Sequence, residues 1–329
     1  MRPRLPKGSQ SDMLLFSLSI VIGLAFLVWS ADRFVAGSAA IANNFGVPHI
    51  IIGVTIVSLG TSAPEIIVAI FAALEGKPEM AMGNALGSNI ANIGLVLGIT
   101  ALVAPIPISK RLIMNENLVL AVITAAVGVI LYNLYLGRLE SLFLIAAMVA
   151  FLVWIYLQNK DQSDDSDFDD EIPNDMSNLA AFLWFAIGLA VLLASARLLV
   201  WGATGIAKEF NISDAIIGAT IIAVGTSLPE LAASVSSALK KHHDIAIGNV
   251  VGSNIFNLLT VLPVPGLIAA GAFSSQLFQR DYLVMAILTL ALFIMLIIRG
   301  LQGAKMGRYL GALFVLMYVT YGYIAFQAI

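Results

Sequence analysis

Hydrophobic positions along the chain do not alternate with polar ones at a helical or strand period. They come in long blocks, separated by short polar breaks. About 20 apolar residues in helical form cross the hydrocarbon of a bilayer, and ten blocks approach that length. They run over 12–30, 48–74, 79–103, 112–132, 139–157, 179–200, 213–239, 244–270, 281–299 and 308–326. Glu75-Gly76-Lys77-Pro78, Ser109-Lys110-Arg111, Lys240-Lys241-His242-His243 and Gln279-Arg280-Asp281 are among the breaks. No ten-residue alternation suggests a β-barrel, so the pattern predicts an all-α polytopic membrane protein. Residues 1–11 read as an N-terminal tail. The first block follows Arg2, Arg4 and Lys7 as a signal peptide would, but no small-x-small cleavage site leads into a polar domain, so it reads as the first span.

Composition agrees. Hydrophobic residues make up 60% of the 329 and charged residues 11%, with mean hydropathy +0.95. A soluble domain carries about 25% charged residues, so a soluble fold is excluded. There is no cysteine, which removes disulfides, thiolate metal sites and cysteine nucleophiles. No basic face suggests nucleic acid, and no nucleotide-binding motif suggests an ATP-driven pump.

One polar stretch, 158–178, is dense in acid: Asp161, Asp164, Asp165, Asp167, Asp169, Asp170, Glu171 and Asp175. It is expected to be a solvated linker. As an EF-hand beginning at Asp161 it would place Ser166 where glycine is required and Ile172 where the bidentate glutamate is required. The linker divides the spans into five at 12–157 and five at 179–329.

The two halves repeat. Gly60-Thr61-Ser62-Ala63-Pro64-Glu65 returns as Gly225-Thr226-Ser227-Leu228-Pro229-Glu230. Gly83-Asn84-Ala85-Leu86-Gly87-Ser88-Asn89-Ile90-Ala91-Asn92 returns as Gly248 to Asn257. Both blocks are displaced by 165 positions, and about 18 of the 40 residues from Gly53 to Asn92 match without a gap. An odd number of spans per half predicts that the second half enters the membrane from the opposite side. Such inverted repeats are a mark of secondary transporters, with the site at mid-membrane between the halves. Lysine and arginine counts in the loops favour both termini outside, by a small margin.

Glu65 and Glu230 fall in the middle of apolar blocks, where an ionisable group defaults to a functional role. A buried protonated structural glutamate is the plain alternative, and the duplication weakens it. Pro64 and Pro229 lack the N–H that a continuous helix requires, so each helix should break beside its glutamate and free carbonyls near Ser58 to Gly60 and Ala223 to Gly225. Taken alone, a Thr-Ser-x-Pro sequence is more often a simple kink. Asn84, Ser88 and Asn92 share one helical face, as do Asn249, Ser253 and Asn257. Gly83, Gly87, Gly248 and Gly252 permit close approach. Such stripes serve equally for packing and interhelical hydrogen bonds. Together the blocks offer carboxylate, hydroxyl, amide and main-chain oxygen only, the ligand set of hard cations, where zinc or copper would want histidine or cysteine. Two carboxylates balance one divalent ion or two monovalent ions, which is the minimum for exchange.

These paired blocks resemble the two alpha repeats of the calcium/cation antiporter superfamily, and the chain is most similar to its prokaryotic sodium/calcium exchangers. The resemblance covers all ten spans. It implies cation ligation by Glu65, Glu230, Thr61, Ser62, Thr226 and Ser227, by Ser88, Asn92 and Ser253, and by the main-chain oxygens of Ser58 and Ala223. Asn257 stands where some archaeal relatives carry Asp, which makes the two halves more alike and removes a carboxylate. The implied activity is Ca2+/Na+ antiport by alternating access across the plasma membrane. No cofactor is expected beyond the transported Ca2+ and Na+, nor any nucleotide or nucleic-acid partner. A Ca2+/H+ antiporter using the same glutamates and, more distantly, a passive cation channel are the alternatives. The Thr-Ser pairs have no His or Asp partner in the spans for nucleophilic catalysis, so an enzyme is not expected. His242 and His243 are read as loop residues, and Asp32, Arg33 and Arg197 as anchors near span ends.

Overall fold

In a computed structural model, residues 10–108, 116–159, 176–210 and 223–327 are described, and they are helical almost throughout. The first half contains α1 (Gln10–Phe45), then α2 (His49–Ile52), a π-helical turn π1 (Gly53–Val57) and α3 (Ser58–Thr61), which run into one another. After them come α4 (Ala63–Leu74), α5 (Pro78–Ala91), π2 (Asn92–Leu97), α6 (Gly98–Val103), α7 (Glu116–Leu131), the short strand β1 (Tyr135–Leu136) and α8 (Arg138–Asn159). The second half contains α9 (Asn178–Glu209), α10 (Ala223–Thr226), α11 (Leu228–Leu239), α12 (His243–Phe256), π3 (Asn257–Val261), α13 (Pro263–Ile268), β2 (Gly271–Ala272), π4 (Leu277–Tyr282), α14 (Leu283–Leu301) and α15 (Arg308–Gln327).

Among the described residues, six helices are long and apolar enough to cross a bilayer, and the bent pair Gly53–Thr61 with Ala63–Leu74 makes a seventh. The other predicted spans meet shorter or partly described elements. Glu116–Leu131 is 16 residues long, α15 occupies the predicted last span, and the span expected over 213–239 lies partly outside the described residues, as does most of the acidic linker. Two predicted limits are corrected. The first helix runs to Phe45 and not to residue 30, and the helix that opens the second half runs to Glu209 and not to residue 200. Asp32, Arg33 and Arg197 interrupt the apolar runs without interrupting the backbone ladder, because Ala, Gly and Ser around them pack helix on helix. A Cβ at Gly188 would stand 2.5 Å from the Phe34 nitrogen, which shows how closely α1 and α9 lie.

The two long helices carry their large apolar side chains outward: Val21, Val28, Leu179 and Leu183 are each at least half exposed. By contrast α5 with π2 and α12 with π3 form the buried centre. Leu86, Ile90, Ile93, Val250, Ile255 and Leu258 are fully enclosed in its main cluster. An apolar rim of this kind suits contact with lipid, since lipid is as apolar as leucine.

The repeat is visible in local geometry. Positions 165 apart begin π2 and π3 (Asn92 and Asn257), and positions 165 apart break the bent helices (Ser62 and Ser227). Gly76 takes φ +72°, and its counterpart Lys241 adopts φ +65°, a conformation unusual for a residue with a Cβ. Strand contacts also recur with the halves exchanged. Leu136 pairs with Gly271 in the antiparallel β1–β2 ribbon, and Met306 exchanges hydrogen bonds of 3.0 and 2.8 Å with Ile106. Leu136 and Met306 each stand two residues before the arginine that opens the last helix of their half.

Candidate ion-binding site

The bent helix turns by 49° at Ser62, whose φ and ψ of −80° and 3° leave the helical range. Ser227 breaks the second bent helix with −89° and 3°. After each break the prolines sit in the first turn of a new helix, where a missing N–H costs nothing. Glu65 and Glu230 follow in the same first turns. A helix N-terminus carries partial positive charge, so both carboxylates stand where the backbone favours an anion.

Both side chains are buried, at 1% and 0% exposure. The Ser88 hydroxyl donates to Glu65 Oε1 at 3.4 Å, and the Ser62 hydroxyl donates across the halves to Glu230 Oε1 at 3.3 Å. The second oxygen of each glutamate has no hydrogen-bond partner, and no ion pair among the described residues involves either. On the same duplicated motifs, the Oγ atoms of Ser227 and Ser253 and both amide atoms of Asn92 and Asn257 are also buried without partners. Buried polar groups are almost always satisfied, so the unpaired oxygens on these motifs make them candidates for binding an ion.

Other expected ligands are partly engaged. Thr61 donates to the Ser58 carbonyl at 3.3 Å and to Asn249 Oδ1 at 3.1 Å. The Ser58 carbonyl also accepts from the Ser62 N–H at 2.9 Å, and the Ser58 hydroxyl turns back to the Val54 carbonyl. Ala223 opens α10 and Thr226 closes it.

Two asparagines outside the expected ligand set hold the glutamates in place. Asn84 donates to the Glu65 carbonyl at 3.3 Å, and Asn249 donates to the Glu230 carbonyl at 3.2 Å and to Ser234 at 2.9 Å. Their signal lay in the repeat, since Asn84 and Asn249 open the two polar stripes. Asn89 donates to the carbonyl of Asn254, its own counterpart. Of the four glycines expected to permit close approach, Gly248 and Gly252 do so, whereas a Cβ at Gly83 or Gly87 would meet nothing within 4 Å. Gly252 presses on the Val54 carbonyl and Gly53 on Ile245 and Gly248, so they bring opposite halves together.

A third duplicated position escaped the sequence reading: Glu116 and Asp281, 165 apart, are both buried. Asp281 accepts from Arg280 at 2.7 and 3.0 Å and from the Tyr321 hydroxyl at 2.9 Å. His242 lies in the loop before α12, as read, but is packed there. Its ring lies 5.5 Å from that of His49, and burial, with His49, Lys240 and His243 adding to it, lowers its pKa to about 4.

Fold and site thus define a helical membrane protein with a duplicated, oxygen-lined, doubly acidic centre. The family of sodium/calcium exchanger proteins matches residues 15–157 and 180–327, and the chain belongs to that family. It is 42% identical over 320 residues to CaxA of Alkalimonas amylolytica, covering 96% of this chain and all of that one. It is 39% identical to the inner membrane protein YrbG of Escherichia coli K12, over 84% of this chain and 87% of the relative. Among solved structures it resembles the sodium-calcium exchanger NCX_Mj soaked with Na+ and Sr2+, with TM-score 0.81 and 32% identity over 94% of this chain and 97% of that one.

Proposed function

We propose that this chain is a secondary antiporter that exchanges Ca2+ for Na+ across the plasma membrane. The observation that carries the reading is the pair Glu65 and Glu230: buried, duplicated, without basic partners and each with one carboxylate oxygen unpaired. Two buried negative charges are costly unless cations neutralise them. One Ca2+ does so with the six to eight oxygens it prefers, and two Na+ do so equally in charge. A site that must be filled, and that one ion type fills only when the other has left, couples their movements.

The ligands are Glu65, Glu230, Thr61, Ser62, Thr226 and Ser227 from the broken helices, with Ser88, Asn92, Ser253 and Asn257 from the buried helices and the main-chain oxygens of Ser58 and Ala223. The architecture is ten spans in two inverted repeats with both termini outside. Support comes from the contacts that recur with the halves exchanged and from the likeness to NCX_Mj, a sodium-calcium exchanger. Alternating access then follows from the two halves trading conformations around a fixed site.

The test is radiolabelled calcium uptake into sodium-loaded proteoliposomes diluted into choline medium, with pH clamped on both sides. Uptake that collapses when sodium is equalised is the expected result. Uptake driven by a pH step without sodium would replace sodium with protons, and uptake needing no counter-ion would make the protein a channel.

A further inference from the structure

The two halves are alike in sequence but not in how their long helices sit. α1 packs along α11, whereas its counterpart α9 makes no such run of contacts along α4, the counterpart of α11. At the end of the α1–α11 contact, Lys240 reaches Asp32, with its ammonium 2.7 Å from Oδ1 and 3.2 Å from the Asp32 carbonyl.

Moved by 165 positions, Asp32 becomes Arg197 and Lys240 becomes Glu75. The alignment is gapless here: Ser30-Ala31 and Gly37 match Ser195-Ala196 and Gly202, and Ala73-Leu74 matches Ala238-Leu239. Both members of the pair have changed sign, so attraction is kept. A change in only one would have set like charges together. In this structure Glu75 is occupied by Lys77 of its own turn, at 2.8 Å. The two pairs belong to opposite ends of the molecule. Lys240 is two residues from His242, which packs on His49 at the start of the bent helix, and Glu75 directly follows that helix.

We propose that Asp32–Lys240 and Arg197–Glu75 are alternative closing pairs, one for each face of the protein, exchanged as the long helices move. In the structure the Asp32–Lys240 pair is made, and Glu75 pairs with Lys77 instead. The inference rests on the exchange reading for its purpose, but its geometry can be tested without transport.

The native chain has no cysteine, so nitroxide labels go only where they are placed. One doubly labelled protein carries them at Val28 and Leu239, the other at the counterparts Leu193 and Leu74. Pulsed electron resonance in liposomes should show two distances for each pair, with the short one dominant for Val28–Leu239. Lys240→Glu should shift the ratio of populations away from that short distance by about two- to fivefold, the range for a partly exposed ion pair, and raise the short Leu193–Leu74 distance. Arg197→Glu should shift it the other way, and the swap Asp32→Lys with Lys240→Asp should restore the native ratio. Unchanged distances in Lys240→Glu, a swap that restores nothing, or shifts of one sign from both single variants would overturn the proposal. Lys240→Gln, a milder change, repeats the test should Lys240→Glu fail to fold. Native protein that shows both distance populations but no sodium-dependent calcium uptake would remove the exchange reading and leave the closing pairs standing.

Discussion

At the scale of single residues, the acidic pair was legible as a buried pair because duplication marked it. One glutamate in an apolar block is ambiguous, and two at the same place in two copies are less so. Glu65→Gln and Glu230→Gln keep shape and hydrogen-bonding capacity while removing the charge that a cation must balance. Each is expected to abolish sodium-driven calcium uptake while the protein still elutes as a single folded species from size exclusion. The supporting asparagines were harder to see, since an amide that binds a carbonyl and one that binds an ion look the same in sequence. Asn249 holds the Glu230 backbone, Ser234 and Thr61 of the other half, whereas Asn84 holds one carbonyl. Asn249→Ala should therefore cost about 1–3 kcal/mol in detergent-solubilised thermal unfolding, as expected for buried partners left unpaired, and more than Asn84→Ala.

At the scale of elements, helix positions followed from hydropathy and helix ends did not. Hydropathy counts apolar residues, but a helix continues wherever its backbone bonds and its packing continue, and so α1 passes through Asp32 and Arg33 to Phe45. There Arg33 lies 4.9 Å from the Trp184 ring and Asp32 meets Lys240. The π-turns have no sequence signature of their own and became visible only in the backbone. Close packing between halves makes Gly252 a sensitive point. An added Cβ would stand 2.4 Å from the Val54 carbonyl and 2.5 Å from the Ser58 hydroxyl, with backbone on one side that cannot swing away. Gly252→Ala should cost about 1–3 kcal/mol through overpacking and shift the bent helix that carries Ser62. Thermal unfolding alongside calcium uptake checks it. The turn at His242 has a pH dependence of its own. Its pKa in the folded protein is about 4, below the ordinary histidine value, so the folded state disfavours the proton. Stability from this group is then present above the ordinary value near 6.5 and is lost as pH falls from there towards 4. His242→Gln should flatten that part of the melting-temperature profile.

At the scale of the molecule, the sequence disclosed two related halves but not how deeply they interlock. The linker suggested two five-span units joined by a tether, yet the site belongs to neither. Ser62 of the first half binds Glu230 of the second, Thr61 binds Asn249, Asn89 binds the Asn254 backbone, and each half supplies one strand to the other. Such contacts depend on distances that only the folded chain provides, which is why hydropathy and motif spacing could not reveal them. If they and the buried centre hold the halves together, the covalent tether is dispensable and the partnership is not. The chain cut between Ser166 and Asp167, inside the acidic segment, gives two fragments that each carry one glutamate and half of the oxygens. Either fragment expressed alone should insert without sodium-driven calcium uptake, since a site with one carboxylate leaves a divalent ion unbalanced in a medium where unbalanced charge is costly. Expressed together, the fragments should copurify on a tag carried by one of them and recover uptake that responds to a sodium gradient. Copurification without uptake would show that the tether sets the geometry of the site. Uptake from a single fragment would place the whole site within one half, against the cross-half hydrogen bonds seen here.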